Sequence, residues 1–165
     1  ARYGYDGLRF EVADVTRDTL ADTHIDMVVT LHACDTATDY ALAYAVNRRV
    51  GRIFSVPCCQ HELNGQIASD KLKLITRYGI IKERFAALMT DAIRANLLES
   101  RGYKTQVLEF VDLSHTPKNL LIRAIKKRPA LDNAGRIALD EAKALMEEFS
   151  LEPTLYSLLY PHSAD

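Results

Sequence analysis

At 165 residues, with 48% hydrophobic and 26% charged side chains, the chain can fill one globular core and is too short for two ordinary ones. Seven Gly and five Pro exclude a collagen-like or linker-like chain, and the apolar fraction excludes full disorder. With 21 Lys and Arg against 22 Asp and Glu, no global field gathers nucleic acid, although a local basic face is compatible with that balance.

No run approaches the roughly 20 apolar residues of a membrane span, and no secretory signal is visible. The three cysteines include the adjacent pair Cys58-Cys59. An odd count with a vicinal pair suits a reducing compartment, so the expected location is the cytoplasm. The first residue is Ala1 rather than Met, which suggests that a segment precedes it.

Leu8, Phe10 and Val12 alternate with Arg9, Glu11 and Ala13 up to Asp14-Val15, and the period of two predicts a strand. Thr16 to His24 is polar, with room for one helical turn. Ile25 to Leu31 is nearly all apolar and β-branched, the pattern of a strand buried on both faces of a parallel sheet. The loop His32-Ala33-Cys34-Asp35 follows. Thr36 and Asp39 form a T-x-x-D capping box that opens a helix over about 37–50, with Ala41, Tyr44, Ala45 and Val46 as its buried stripe. Arg52 to Val56 is a third strand, stopped by Pro57 and followed at once by Cys58-Cys59-Gln60-His61.

Residues 62–78 show no strong period and carry Lys71, Lys73 and Arg77, which read with Lys82 and Arg84 as solvated helix faces. A long amphipathic helix follows, with Ile81, Phe85, Leu88, Ala92 and Leu97 on one face and Gly102 as its stop. Thr105 to Val111 and Leu120 to Ile125 are two more strands. Their link, Asp112 to Asn119, is too short for a parallel crossover and fits an antiparallel hairpin. A last helix runs from about Arg136 to Phe149. The sum is an α/β sheet of five strands, mostly parallel, with a terminal antiparallel hairpin.

In such sheets ligands sit beyond the carboxyl ends of the strands, where Asp14 and the loops 32–35 and 57–61 all fall. His32, Cys34, Cys58, Cys59 and His61 have the residue types of a zinc site. Spacing argues against one: neither loop has C-x₂-C, and adjacent cysteines in extended backbone point different ways. Cys34 with His61, or Cys59 with His32, could form a thiolate–imidazolium nucleophile, although no orienting third residue is identifiable. The commoner fate of single cysteines such as Cys34 and Cys58 is burial under a strand edge. Asp14 could accept from an exocyclic amine such as adenine's, or simply hold a turn. Asp39 is explained by the capping box. There is no G-x-G-x-x-G and no P-loop.

Taken together, L-H-A-C-D-x-A-T-D-x-A-L (Leu31 to Leu42) and V-P-C-C-Q-H-E-L (Val56 to Leu63) resemble a pair of motifs in class I S-adenosylmethionine-dependent methyltransferases. The branch is the one that includes the tRNA acceptor-stem 2′-O-methyltransferases. His115 to Ala124 is similar to the final hairpin of bacterial members, and the resemblance covers about Leu8 to Lys127. It implies a Rossmann-like, seven-stranded sheet whose last strand inserts antiparallel. Leu8–Asp14, Ile25–Leu31 and Arg52–Val56 would be its third, fourth and fifth strands.

The resemblance implies S-adenosylmethionine as cofactor, with Asp14 and Val15 at the adenine and His32, Ala33 and Cys34 beside the methyl donor. Pro57 to His61 would line the acceptor side. His32 and His61 would orient or deprotonate the acceptor, and Cys58 and Cys59 would be walls of a pocket without a structural metal. RNA is the acceptor class that the relatives imply. Asp35 stands where many relatives have Gly. The glycine-rich cofactor loop has no counterpart, so the expected unit is a single domain over 1–165, truncated at its amino-terminal side. Its core would span 8–127 and a helical extension 128–165. Such a piece would bind the cofactor poorly, be inactive alone, and self-associate through an exposed sheet edge. The alternative is a non-enzymatic α/β module that binds a partner or metal through its Cys/His edge. A glycine-rich strand-turn-helix upstream would select the enzyme.

Overall fold

The computed structural model of the chain describes residues 4–14, 16, 23–109 and 120–161. The elements in order are β1 (Met27–Leu31), α1 (Thr36–Asn47), β2 (Arg52–Val56), α2 (Glu62–Gln66), a 3₁₀ turn (Asp70–Leu72), α3 (Lys73–Thr76), α4 (Gly79–Ser100), β3 (Tyr103–Glu109), β4 (Leu120–Lys126), α5 (Asn133–Phe149) and α6 (Thr154–Leu159). They make a four-stranded sheet in the order β1-β2-β4-β3. β1 and β2 are parallel, with Leu31 opposite Val56. β4 runs antiparallel to both neighbours, placing Ser55 opposite Ile122 and Thr105 opposite Ala124.

The side-chain period of two sorts the sheet into two unlike faces. Ile53 and Ser55 on β2 and Ile122 and Ala124 on β4 point into the helical layer and are buried. That core continues through Leu42, Ala45, Leu63, Ile93, Leu97, Leu98 and Leu155, none of them more than marginally exposed. α5 packs on α4, and α6 packs on α1, so the segment after Lys127 shares this core. Met27, Val29 and Leu31 point to the other face and are exposed, Leu31 at 69%.

Several expectations change here. Among the described residues β1 is not buried on both faces: it is an edge strand, covered only on the helical side. Among the described residues β1, β2 and β3 run in one direction and β4 alone opposes them, so the sheet is a parallel/antiparallel mix with one parallel and two antiparallel pairings. Leu8–Asp14 forms no strand; Phe10 is 89% exposed, and among the described residues no partner strand supplies the ladder that the alternation would need. Val15, Val111 and the link 112–119 lie outside the described residues.

The hairpin is the antiparallel pair expected, and Arg52–Val56 is a strand with the expected bounds. The buried face of α4 is rotated from the one read. It carries Ala86, Met89, Ile93, Leu97 and Leu98, whereas Ile81 and Leu88 are exposed and Ala92 faces outward. The reason is Asp91 and Arg94, whose charged side chains turn inward.

Candidate functional site at the carboxyl ends of β1 and β2

Because Leu31 lies opposite Val56, the loops 32–35 and 57–61 leave one edge of the sheet side by side. Asp35 fastens them. Its amide donates to the Cys59 carbonyl at 3.0 Å, and its carboxylate accepts from the amides of His61 (2.9 Å) and Glu62 (3.0 Å). Those amides open α2, whose own flanking residue His61 makes no side-chain cap, so a residue from the other loop caps the helix. Asp35 has φ +50° and His32 φ +62°. With ψ −126°, Asp35 lies outside the αL basin in a region that glycine adopts and other residues rarely do, so its bonds to Cys59, His61 and Glu62 hold a strained turn.

Thr36 is the first helical residue and Asp35 flanks it, so the capping box read at Thr36 and Asp39 does not form. Asp39 is instead buried in an ion pair with Arg94, whose Nε and Nη2 each reach a carboxylate oxygen at 2.8 Å. Arg94 also donates to the Asp35 carbonyl (2.9 Å) and to Asp91 (3.1 Å). Gln60 donates to the other oxygen of Asp91 at 2.8 Å. One guanidinium thus ties α1 and the first loop directly, and the second loop through Asp91 and Gln60.

Burial raises the Asp91 carboxyl to about 6, against the opposing pull of Arg94. An acid whose folded pKa lies above its unfolded value stabilises the fold most at low pH. That contribution fades as pH rises from near 4 through about 6. Relative to Asp91→Asn, the wild type is therefore expected to lose on the order of 2–3 kcal/mol across that window. Urea unfolding at pH 4 and pH 7 checks this, and parallel pH profiles for the two proteins would refute it.

The fold brings His32, Cys34 and Cys58 together, with their ligand atoms within 4.8 Å of one another. Cys34 Sγ lies 3.0 Å from Cys58 Sγ, and Cys58 Sγ lies 3.7 Å from Cys59 Sγ. Adjacent cysteines do not point apart here, because β2 ends at Val56 and the backbone beyond Pro57 is no longer a strand. Nor is Cys34 buried under a strand edge; it is exposed, and Cys58 is half-buried. Burial pushes the Cys58 thiol up to about 12, with hydrogen bonds to Cys34 and Cys59 adding to the effect. A thiol so held is a poor nucleophile at neutral pH.

His61 is exposed at the start of α2. Ala33 is half-buried, and its carbonyl accepts from the Thr38 hydroxyl at 2.6 Å. Asp14 is exposed in a short turn; its carboxylate accepts from the amide (2.9 Å) and hydroxyl (2.7 Å) of Thr16, and these bonds lower its pKa. It stands at no strand end. Lys71 pairs with Glu148 and Lys73 with Asp70 (2.8 Å), both on solvated surfaces. A depression lined by Arg49, Arg101 and Lys126 lies at the opposite end of the sheet from the Cys/His edge.

Arg94 and Asp91 lie outside every motif of the sequence, and Gln60 lies within the acceptor-side stretch Pro57 to His61 without a role of its own there. Their only local signal is a charged i,i+3 pair amid Ala86, Met89, Ile93 and Leu97, a place where a solvated helix would not put one.

Against known families, residues 1–66 match a family model described as a methyltransferase domain. That stretch contains both loops, His32–Asp35 and Pro57–His61. No curated protein and no solved structure matches the chain. The similarity supports a methyltransferase domain. Among the described residues, no helix is long and apolar enough to cross a membrane.

Proposed function

We propose that the chain is the acceptor-side portion of a cytoplasmic S-adenosylmethionine-dependent methyltransferase. The observation that carries this is the meeting of the two motif loops at the ends of adjacent parallel strands, inside the stretch similar to a methyltransferase domain. The position of β4, antiparallel between β2 and β3, also agrees with the inserted last strand that the resemblance implies.

The residues of the two loops suit the group they would hold. Asp14, which the resemblance puts at the adenine with Val15, lies in an exposed turn bonded to Thr16 and at no strand end, so the support comes from the two loops. Ala33 is small enough for close approach, and His32 and Cys34 flank it. When bound, the cofactor supplies a sulfonium methyl to a nucleophile approaching in line. The chain's own work is to position the acceptor and exclude water. His61 steers or takes the acceptor's proton, and His32, Cys58 and Cys59 form the wall beside it. The acceptor class proposed is RNA, on the resemblance alone.

In the full-length protein, His61→Ala is expected to lower transfer of labelled methyl by about 10²–10⁴-fold while cofactor affinity holds. Ribonuclease sensitivity of the labelled product tests the acceptor class. Unchanged transfer in His61→Ala would sink the assignment. Calorimetry on this chain should show weak cofactor binding, since no glycine-rich loop cradles the ligand. The second reading, a non-enzymatic module using the Cys/His edge, is favoured by the sulfur–imidazole cluster. Failure of the full-length protein to transfer methyl to any acceptor would select it.

A further inference from the structure

We propose that His32, Cys34, Cys58 and Cys59 hold one zinc ion that locks the two loops together. The ligand atoms of the first three already lie within 4.8 Å of one another, drawn from both loops; Cys59 Sγ is outside that group, next to Cys58 Sγ, and its side chain turns in to complete the set. A tetrahedral zinc with Zn–S bonds near 2.3 Å sets its sulfurs roughly 3.8 Å apart. The Cys58–Cys59 sulfur separation is 3.7 Å, and that of Cys34 and Cys58 is 3.0 Å, so the second pair opens by less than an ångström. The donor set is soft, three thiols and an imidazole, and selects zinc over magnesium or calcium.

The frame is built before any ion arrives. β1 and β2 fix the loop origins through the pairing of Leu31 with Val56, and Asp35 bonds to Cys59, His61 and Glu62 across the gap. What is left for metal binding to order is chiefly the Cys59 side chain. The spacing argument against zinc counts ligands within one loop, whereas the fold assembles them from two. A disulfide between Cys34 and Cys58 would use two of the four groups and give His32 and Cys59 no part.

On binding, each thiol releases its proton to solvent and donates a sulfur lone pair, and His32 donates a ring nitrogen lone pair, so no redox partner is needed. Four protein ligands make a closed, structural site. His32 is then spent on the metal, and His61 is the imidazole left for an acceptor. The inference does not rest on methyl transfer, because its readout is metal content and ligand count.

The test is elemental analysis of the full-length protein purified under reducing conditions without chelator, followed by cobalt titration of the demetallated protein. One zinc per chain is expected, with the thiolate charge-transfer and intense visible bands of tetrahedral cobalt. X-ray absorption at the zinc edge should give three sulfurs and one nitrogen. Cys34→Ser, Cys58→Ser, Cys59→Ser and His32→Ala should each weaken zinc at least tenfold, with circular dichroism confirming that each variant is folded. Where a variant fails to fold, the absorption spectrum of the wild type still decides. No stoichiometric zinc, a Cys34–Cys58 disulfide under reducing conditions, or undiminished affinity in any folded variant would overturn the site as stated.

Discussion

Arg94→Met is expected to destabilise the protein by about 3–5 kcal/mol, the usual cost of stranding a buried charge. Arg94 is 2% exposed and holds both oxygens of Asp39, one oxygen of Asp91 and the carbonyl of Asp35. Without it, Asp39 keeps a carboxylate in a site that water does not reach, and Asp91 faces it with no cation between them. The cost comes from the orphaned acids more than from the lost attraction. An apolar replacement of both partners, Asp39→Leu with Arg94→Met, is therefore expected to recover a large part of it. Recovery of stability should not restore the site, because the tether from Arg94 to Asp35 is gone in both proteins. Urea unfolding at constant slope measures the first effect, and a fall below about 1 kcal/mol would refute the argument.

A second large effect is expected at Gly102, where alanine should cost about 2–4 kcal/mol. Gly102 has φ +88°, and a Cβ there would lie 2.2 Å from the Arg128 carbonyl oxygen and 2.8 Å from that of Pro129. The obstruction is backbone, so no rotamer change relieves it. The turn cannot shift freely either. The Gly102 amide donates to Glu99, and its carbonyl accepts from the amides of Lys127 (3.1 Å) and Arg128 (3.0 Å), joining the end of α4, the start of β3 and the exit of β4. Gly79→Ala serves as the contrast, since nothing lies within 4 Å of a Cβ at that position and it opens α4. It should be neutral or stabilising by up to about 1 kcal/mol through a less flexible unfolded chain. Comparable losses at both glycines would show that the close approach at Gly102 is not what sets the cost.

What could be read from the residues alone follows the range of the forces involved. Arg52–Val56, the helix after Asp35, the stop at Gly102 and the antiparallel Tyr103–Lys126 hairpin rest on local pattern, turn chemistry and link length, which act within a few residues. The neighbouring of the loops 32–35 and 57–61 also follows from sequence, because consecutive parallel strands joined by a helix commonly pair. Leu8–Asp14 had the same local pattern as a strand and is none, since a strand exists only when a second strand takes up its amide and carbonyl groups. Thr36 and Asp39 matched a cap, yet Asp39 is worth more to the fold inside, against Arg94 some 55 positions away. The same holds for the sulfurs. Spacing along the chain set Cys34 and Cys58 apart by 24 positions, and only the register of β1 on β2 brings them to 3.0 Å. Periodicity reports how a segment divides its own faces. Which face is buried, and which charged or thiol groups meet there, is decided by long-range packing, where burial makes it costly to leave either partner of a pair alone.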